Sequence, residues 1–225
     1  MPEQSHASYY PQISGDLVSR VNLFMWVREF LRNCDFEKGY YMEFGVLNGE
    51  SIIDAYRQLR GHLTHVYGFD SFLGLPVLTD DDEIAGEKMP AYREGNFQSL
   101  DKVSVAKVIQ SNCRIPEDKL TLIEGFFEDS LPAFDAQLLN DKGPLLCCYI
   151  DCNLFSSTKI VLDFIEDKVV EGSWLFFDDY WCNRGSPKLG QRRAISEWLA
   201  NSSRVGLSDY GNFRGFGKAF IVYEK

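Results

Sequence analysis

Tyr40-Tyr41-Met42-Glu43-Phe44-Gly45-Val46-Leu47-Asn48-Gly49-Glu50-Ser51 is the stretch that decides the fold. An apolar run meets an acid and a glycine-bearing turn, and an amphipathic segment from Ser51 to Arg60 follows at once. The order reads strand, tight turn, helix N-terminus. Glycines at such a turn let backbone approach a ligand, and unpaired amides at the helix start attract negative charge. The spacing is not the dinucleotide fingerprint, because Leu47 stands where a middle glycine is expected.

Working outward, Leu17 to Cys34 carries Val18, Val21, Leu23, Phe24, Val27, Phe30 and Leu31 at helical spacing, which predicts an amphipathic helix before the first strand. Tyr9 and Tyr10 precede it, either as a flap over a pocket or as aromatics packed on the core. A second strand is expected over His65–Phe69, closing a strand–helix–strand unit that ends at Asp70, roughly 20 residues after the glycine turn. A carboxylate there can accept both ribose hydroxyls of an adenosine; an aspartate ending a strand also serves as a cap. Further strands are expected at Leu120–Ile123, Leu145–Ile150, Ser173–Phe177, Val205–Ser208 and Ala219–Tyr223, with helices at Leu100–Asn112, Ser157–Lys168 and Arg193–Ser202, and Gly172 marks a helix stop. Leu145–Ile150 is apolar throughout, as suits a parallel strand buried on both faces. The alternation predicts a mostly parallel sheet of seven strands with helices on both faces and an antiparallel closing hairpin.

The 225 residues carry a formal charge of −10, which disfavours nucleic-acid backbones. The acidic run Asp80-Asp81-Asp82-Glu83 reads as a solvated loop. The chain lacks a basic start followed by an apolar core, and no apolar run reaches a membrane-spanning length, so a cytoplasmic protein without membrane contact is expected. Six cysteines show no C-x-x-C pair, and three crowd the strand around Leu145–Ile150, so reduced thiols are expected.

Five strands end in acids or the glycine turn: Glu43, Asp70, Glu124, Asp151, and Asp178 with Asp179. In an open parallel sheet these ends share the edge where ligands bind. Asp151, Asp178 and Asp179 at neighbouring strand tips would suit a hard cation, Mg²⁺ first, with Mn²⁺ or Ca²⁺ able to substitute; the plainer reading makes them turn caps. His62 and His65 fall toward the opposite edge, which leaves no histidine base, and no Gly-x-Ser-x-Gly elbow supports a serine hydrolase.

Glu43–Ser51, Phe69-Asp70-Ser71-Phe72-Leu73-Gly74-Leu75-Pro76, Gly95-Asn96-Phe97, Glu124–Pro132, Ile150–Thr158 and Phe177–Tyr180 resemble, in order, the motif series of the macrocin O-methyltransferase (TylF) family. The resemblance runs from about Tyr40 to Trp198. It implies a Rossmann-like class I methyltransferase fold and transfer of a methyl group from S-adenosylmethionine to a hydroxyl of a small molecule, often a natural-product sugar, with Mg²⁺. Carried over, it implies that Glu43, Gly45, Val46, Gly49 and Ser51 hold the methionine part of the cofactor and that Asp70 binds the ribose. Ser71 and Phe72 would lie beside the adenosine, Glu124, Gly125 and Phe126 near the adenine, and Asp151 beside the cofactor. Asp151, Asp178 and Asp179 would hold the metal. Asn153 and Phe155 depart from the family, where aspartate and tyrosine are more usual.

As a mechanism, the metal acidifies an acceptor hydroxyl and Asp151 takes its proton. Lys188, Arg192 and Arg193 are candidates for an anionic acceptor. Lids are expected from the leader through Tyr10, Val77–Glu94 and Trp181–Gln191. Residues 1–38 read as leader and amphipathic helix, for a lid or oligomer contact, and 39–225 as the methyltransferase domain; relatives that are dimers or larger point to a homo-oligomer. Rival readings are a catechol-type phenolic O-methyltransferase, a nicotinamide dehydrogenase, a metal-dependent phosphohydrolase, and a degenerate cofactor-binding scaffold.

Overall fold

The computed structural model describes residues 19–225; the flap expected at Tyr9 and Tyr10 lies outside them. Helix α1 (Arg20–Asn33) starts where Ser19 accepts a hydrogen bond from the Asn22 amide, and it buries Leu23, Phe24, Val27 and Leu31. Strand β1 (Gly39–Phe44), helix α2 (Glu50–Leu59) and strand β2 (Leu63–Asp70) form the expected unit. Helices α3 (Asp80–Lys88) and α4 (Lys102–Cys113) lead to β3 (Leu120–Glu124). A short α5 (Phe127–Ser130), β4 (Leu145–Ile150), α6 (Phe155–Ile165) and β5 (Val169–Phe177) follow. Helix α7 (Gly190–Asn201) and strands β6 (Val205–Phe213) and β7 (Gly217–Glu224) complete the order.

The strands lie in one sheet in the order β3-β2-β1-β4-β5-β7-β6, with β7 antiparallel to both neighbours and the rest parallel. Strand β1 pairs β2 on one side and β4 on the other, so the chain reverses its direction of winding there and opens a crevice at the carboxyl ends of β1 and β4. Every residue of β1 and of β4 is buried, as a central strand covered on both faces requires. One core packs α1, α2 and α4 on the sheet, and the other packs α6 and α7 on the opposite face.

Three expectations change. The apolar stripe of α1 packs with Tyr41, Ile52, Tyr149 and Phe176, so Leu23, Phe24, Val27 and Leu31 belong to the core and are not spare interface. The acidic run is not a solvated loop: it opens α3, and Asp82 is wholly buried, its Oδ1 accepting from the amides of Phe155 (2.9 Å) and Ser156 (3.3 Å) at the start of α6. Four consecutive acids look alike in sequence, yet helical geometry turns only one of them inward. Gly172 does not stop a helix; it lies inside β5 with φ +88°, where a side chain would strike the Phe36 ring. Among the described residues no helix is long and apolar enough to cross a membrane.

Candidate active site

A cavity of about 380 Å³ opens at the carboxyl edge of the sheet, within the range of small-molecule sites. Its floor is the close approach of β1 and β4. Gly45 has φ +89°, and a β-carbon there would lie 1.9 Å from the Asp151 carbonyl oxygen, so only glycine lets the two strand ends meet. Leu47 adopts φ +49°, a left-handed conformation that costs a branched residue about 1–2 kcal/mol. Asp70 sustains it, since Oδ2 accepts from the amides of Val46 (2.7 Å) and Leu47 (2.9 Å) while Oδ1 accepts from the Phe72 amide (2.7 Å). The missing middle glycine is thus replaced by a leucine held in glycine's conformation.

Gly45, Val46, Ser51, Asp70, Ser71, Gly125 and Phe126 line the cavity, as do Asp151, Asp178 and Asp179. Glu43, Gly49, Phe72 and Glu124 do not. Glu43 is wholly buried behind the turn, where its two oxygens accept from the hydroxyls of Ser51 and Tyr41, both at 2.5 Å, and burial pushes its pKa up to about 8. It reaches the cavity only through Ser51. Gly49 caps α2 without a side chain and presses on Ile109, Phe72 packs into the core beneath its loop, and Glu124 turns outward to Lys102 at 3.2 Å.

Strands β4 and β5 are neighbours, and they bring the three aspartates to one wall. Burial first, then repulsion from Asp179 and Asp178, holds the Asp151 carboxyl well above the usual carboxylate range, with the Arg214 charge opposing. Asp179 is pushed up to about 6 by burial and by Asp178, against hydrogen bonds from Tyr92 and the Asn153 amide. Asp178 accepts from the Tyr149 hydroxyl at 2.5 Å and from Arg214 at 3.3 Å through both oxygens. Mutually repelling carboxylates of this kind have the chemistry of a divalent-ion donor set. As placed, no three acidic, histidine or cysteine side chains among the described residues converge tightly enough to coordinate an ion, because Asp178 leans on Arg214 and Asp179 on Tyr92, Cys182 and the Asn153 backbone.

Four site residues carried no signal in the sequence. Gln191, wholly buried at the start of α7, donates from Nε2 to the Ile150 carbonyl (2.9 Å) and accepts at Oε1 from the Asp179 amide (3.0 Å), tying the ends of β4 and β5 together. Tyr92, in the expected Val77–Glu94 lid, reaches Asp179 from above at 3.1 Å, with Met89 and Ala91 beside it on the cavity wall. Arg20 and Arg214, from α1 and from the β6–β7 turn, are the cations that line the cavity. Lys188, Arg192 and Arg193, the expected cations, lie off its wall: Arg192 stacks over Trp181 (4.8 Å), and Arg193 pairs with Asp81 and Glu197, both at 2.7 Å. Of the two family departures, Asn153 lines the cavity, whereas Phe155 is buried under the Arg193 guanidinium. His65 lies near the start of β2, with a pKa pushed down to about 4 by burial, and takes no part at this edge.

The family described as macrocin-O-methyltransferase (TylF) matches residues 26–200. The chain belongs to this family. Among its curated relatives, mycinamicin III 3''-O-methyltransferase of Micromonospora griseorubida is 25% identical over 209 residues, covering 88% of this chain and 79% of the relative. Demethyldecarbamoylnovobiocin O-methyltransferase of Streptomyces niveus is 26% identical over 176 residues, covering 75% of this chain and 64% of that one. Among solved structures, the O-methyltransferase NovP superposes with a TM-score of 0.69 at 22% identity, over 90% of this chain and 78% of its own. CalS11, a calicheamicin methyltransferase, gives 0.67 at 22% identity, over 89% and 77%. These likenesses show that this TylF-family protein has the Rossmann-like class I methyltransferase fold.

Proposed function

We propose that this TylF-family protein transfers the methyl group of S-adenosylmethionine to a hydroxyl of a small natural product, a sugar hydroxyl foremost, with the help of Mg²⁺. The observation that carries the reading is a single cavity holding both a nucleoside-type half and an acidic half: Gly45, Asp70 and Phe126 on one side, Asp151, Asp178 and Asp179 on the other. Relatives named for methylating a mycinamicin and a novobiocin precursor support a natural-product hydroxyl. Asp70 Oδ1 accepts only the Phe72 amide and keeps lone-pair capacity for a ribose hydroxyl. Gly125 and Phe126 form the wall past Asp70 and suit an adenine ring.

An alcohol is too weak an acid to give up its proton unaided near neutrality. Asp151 answers this from the protein side: it lines the cavity beside Asp178 and Asp179, and in its ionised form its carboxylate can accept the hydroxyl proton. It takes the hydroxyl proton as the oxygen bonds the methyl carbon and the carbon–sulfur bond breaks, leaving S-adenosylhomocysteine. Asp178 and Asp179 with Asp151 would hold the Mg²⁺, which supplies positive charge that acidifies the hydroxyl. Tyr92 and Gln191 hold Asp179 in place, and Met89 and Phe216 add apolar surface to the cavity wall.

Calorimetric titration of S-adenosylhomocysteine, with and without Mg²⁺, tests the donor half, and Asp151→Asn tests the base. Binding of the nucleoside product is expected in wild type and variant alike, with transfer to a hydroxyl acceptor reduced about 10²-fold or more in the variant. A protein that binds no S-adenosylhomocysteine under either condition is not the enzyme described.

A further inference from the structure

Charge in the cavity is lopsided. Among the described residues, Glu50, Asp70, Glu128, Asp151, Asp178 and Asp179 line it against two cations, Arg20 and Arg214. Any ligand ending in an amino-acid group brings an ammonium, for which acids abound, and a carboxylate, for which a guanidinium or a helix N-terminus is needed. Arg214 stands at the β5 side, engaged by both oxygens of Asp178. Arg20 lines the cavity together with Gly45, Glu50 and Ser51 of the β1–α2 turn, and it shares the Tyr149 side chain with Arg214.

The anchoring of Arg20 suits a ligand contact. Its Nε and Nη2 both reach Asp54 Oδ2, at 2.9 and 2.8 Å, and its side chain keeps 15% exposure. One face of the guanidinium fork is thereby fixed on Asp54; the Tyr149 hydroxyl is its other side-chain neighbour, and no second carboxylate among the described residues pairs with it. Asp54 lies one turn into α2, whose cap residue Gly49 offers no side-chain acceptor to the first-turn amides. A pre-set guanidinium therefore stands on the same cavity wall as a helix start with open donors.

We infer that Arg20 binds the carboxylate of the methionine end of S-adenosylmethionine, making α1 a part of the donor site. The inference rests on the donor reading given above. The competing explanation is mechanical: the Arg20–Asp54 pair pins α1 to α2 and touches no ligand.

Two ligands separate the possibilities. S-Adenosylhomocysteine has the amino-acid end, whereas 5′-methylthioadenosine keeps the adenosine and the thioether and lacks that end. Titrated into Arg20→Gln, the first is expected to bind about tenfold or more weakly than in wild type, and the second to stay within about twofold. Arg20→Lys should recover part of the loss, and Asp54→Asn, which removes the charge of the same pin but keeps the guanidinium, should retain most of the S-adenosylhomocysteine affinity. Equal weakening of both ligands in Arg20→Gln, no weakening of either, or a loss in Asp54→Asn as large as in Arg20→Gln would each overturn the assignment. Wild-type protein that binds neither ligand would remove the donor reading itself, and Arg20's role with it.

Discussion

Gly45 is the residue on which the site turns. A methyl group there meets the Asp151 carbonyl at 1.9 Å and must also bear φ +89°, so Gly45→Ala is expected to cost roughly 2–4 kcal/mol in urea unfolding and to abolish S-adenosylhomocysteine binding. Retained binding would mean that the two strand ends can part without harm. Glu43 makes a different prediction. Its pKa is about 8 in the folded protein against an ordinary 4.5, so between those values the folded state holds a proton that the unfolded chain has lost. The associated stability is complete below about pH 4.5 and disappears as pH rises through about 8. Glu43→Gln, neutral throughout, should therefore gain on wild type in melting temperature as pH rises from 5 to 8.5; a constant difference would show that Glu43 ionises normally. In the sequence, Glu43 looked like a ligand contact because it opens the motif. Its side chain is instead spent on Tyr41 and Ser51, because alternate residues of a strand point to opposite faces and position 43 points into the protein.

At the scale of elements, helix starts do much of the positioning. Gln191 at the head of α7 bridges the Ile150 carbonyl and the Asp179 amide. Gln191→Leu leaves both backbone groups buried without partners, which should cost about 2–4 kcal/mol by denaturant unfolding and lower transfer more than it lowers S-adenosylhomocysteine affinity. A variant with unchanged transfer would show that Asp179 needs no such hold. Strands and helices were largely legible, since apolar alternation and glycine turns reflect local geometry: the expected Leu145–Ile150 is β4 residue for residue, whereas β6, expected as Val205–Ser208, runs on to Phe213 and β5 begins at Val169 ahead of the expected Ser173. The Val77–Glu94 segment was readable as an insertion but not as a helix. Its acid-rich start has no periodic apolar face, and what orders it is the burial of Asp82 against α6.

For the whole molecule, the sheet order explains which site residues a sequence can reveal. Glu43, Asp70, Asp151 and Asp178 announce themselves because each ends a strand, and a parallel sheet gathers such ends on one edge. Arg20, Tyr92, Gln191 and Arg214 arrive from four segments far apart in the chain, so only the folded arrangement relates them. The same arrangement bears on the metal. With Asp178 leaning on Arg214, an ion bound by the three aspartates would have to draw it away. Chelator is expected to suppress transfer, Mg²⁺ to restore it, and S-adenosylhomocysteine to bind about equally well with or without the ion, all measurable on one sample. Full turnover in chelator would leave Arg214 as the sufficient counter-charge.

The β6–β7 turn contributes Arg214 and Phe216 to the cavity, while the family match closes at residue 200. A shortened protein cut after α7 would keep every recognisable motif yet lack one of the two cavity cations and part of the rim. During synthesis, likewise, the cavity acquires these two residues only after the β6–β7 hairpin has emerged and folded back beside β5.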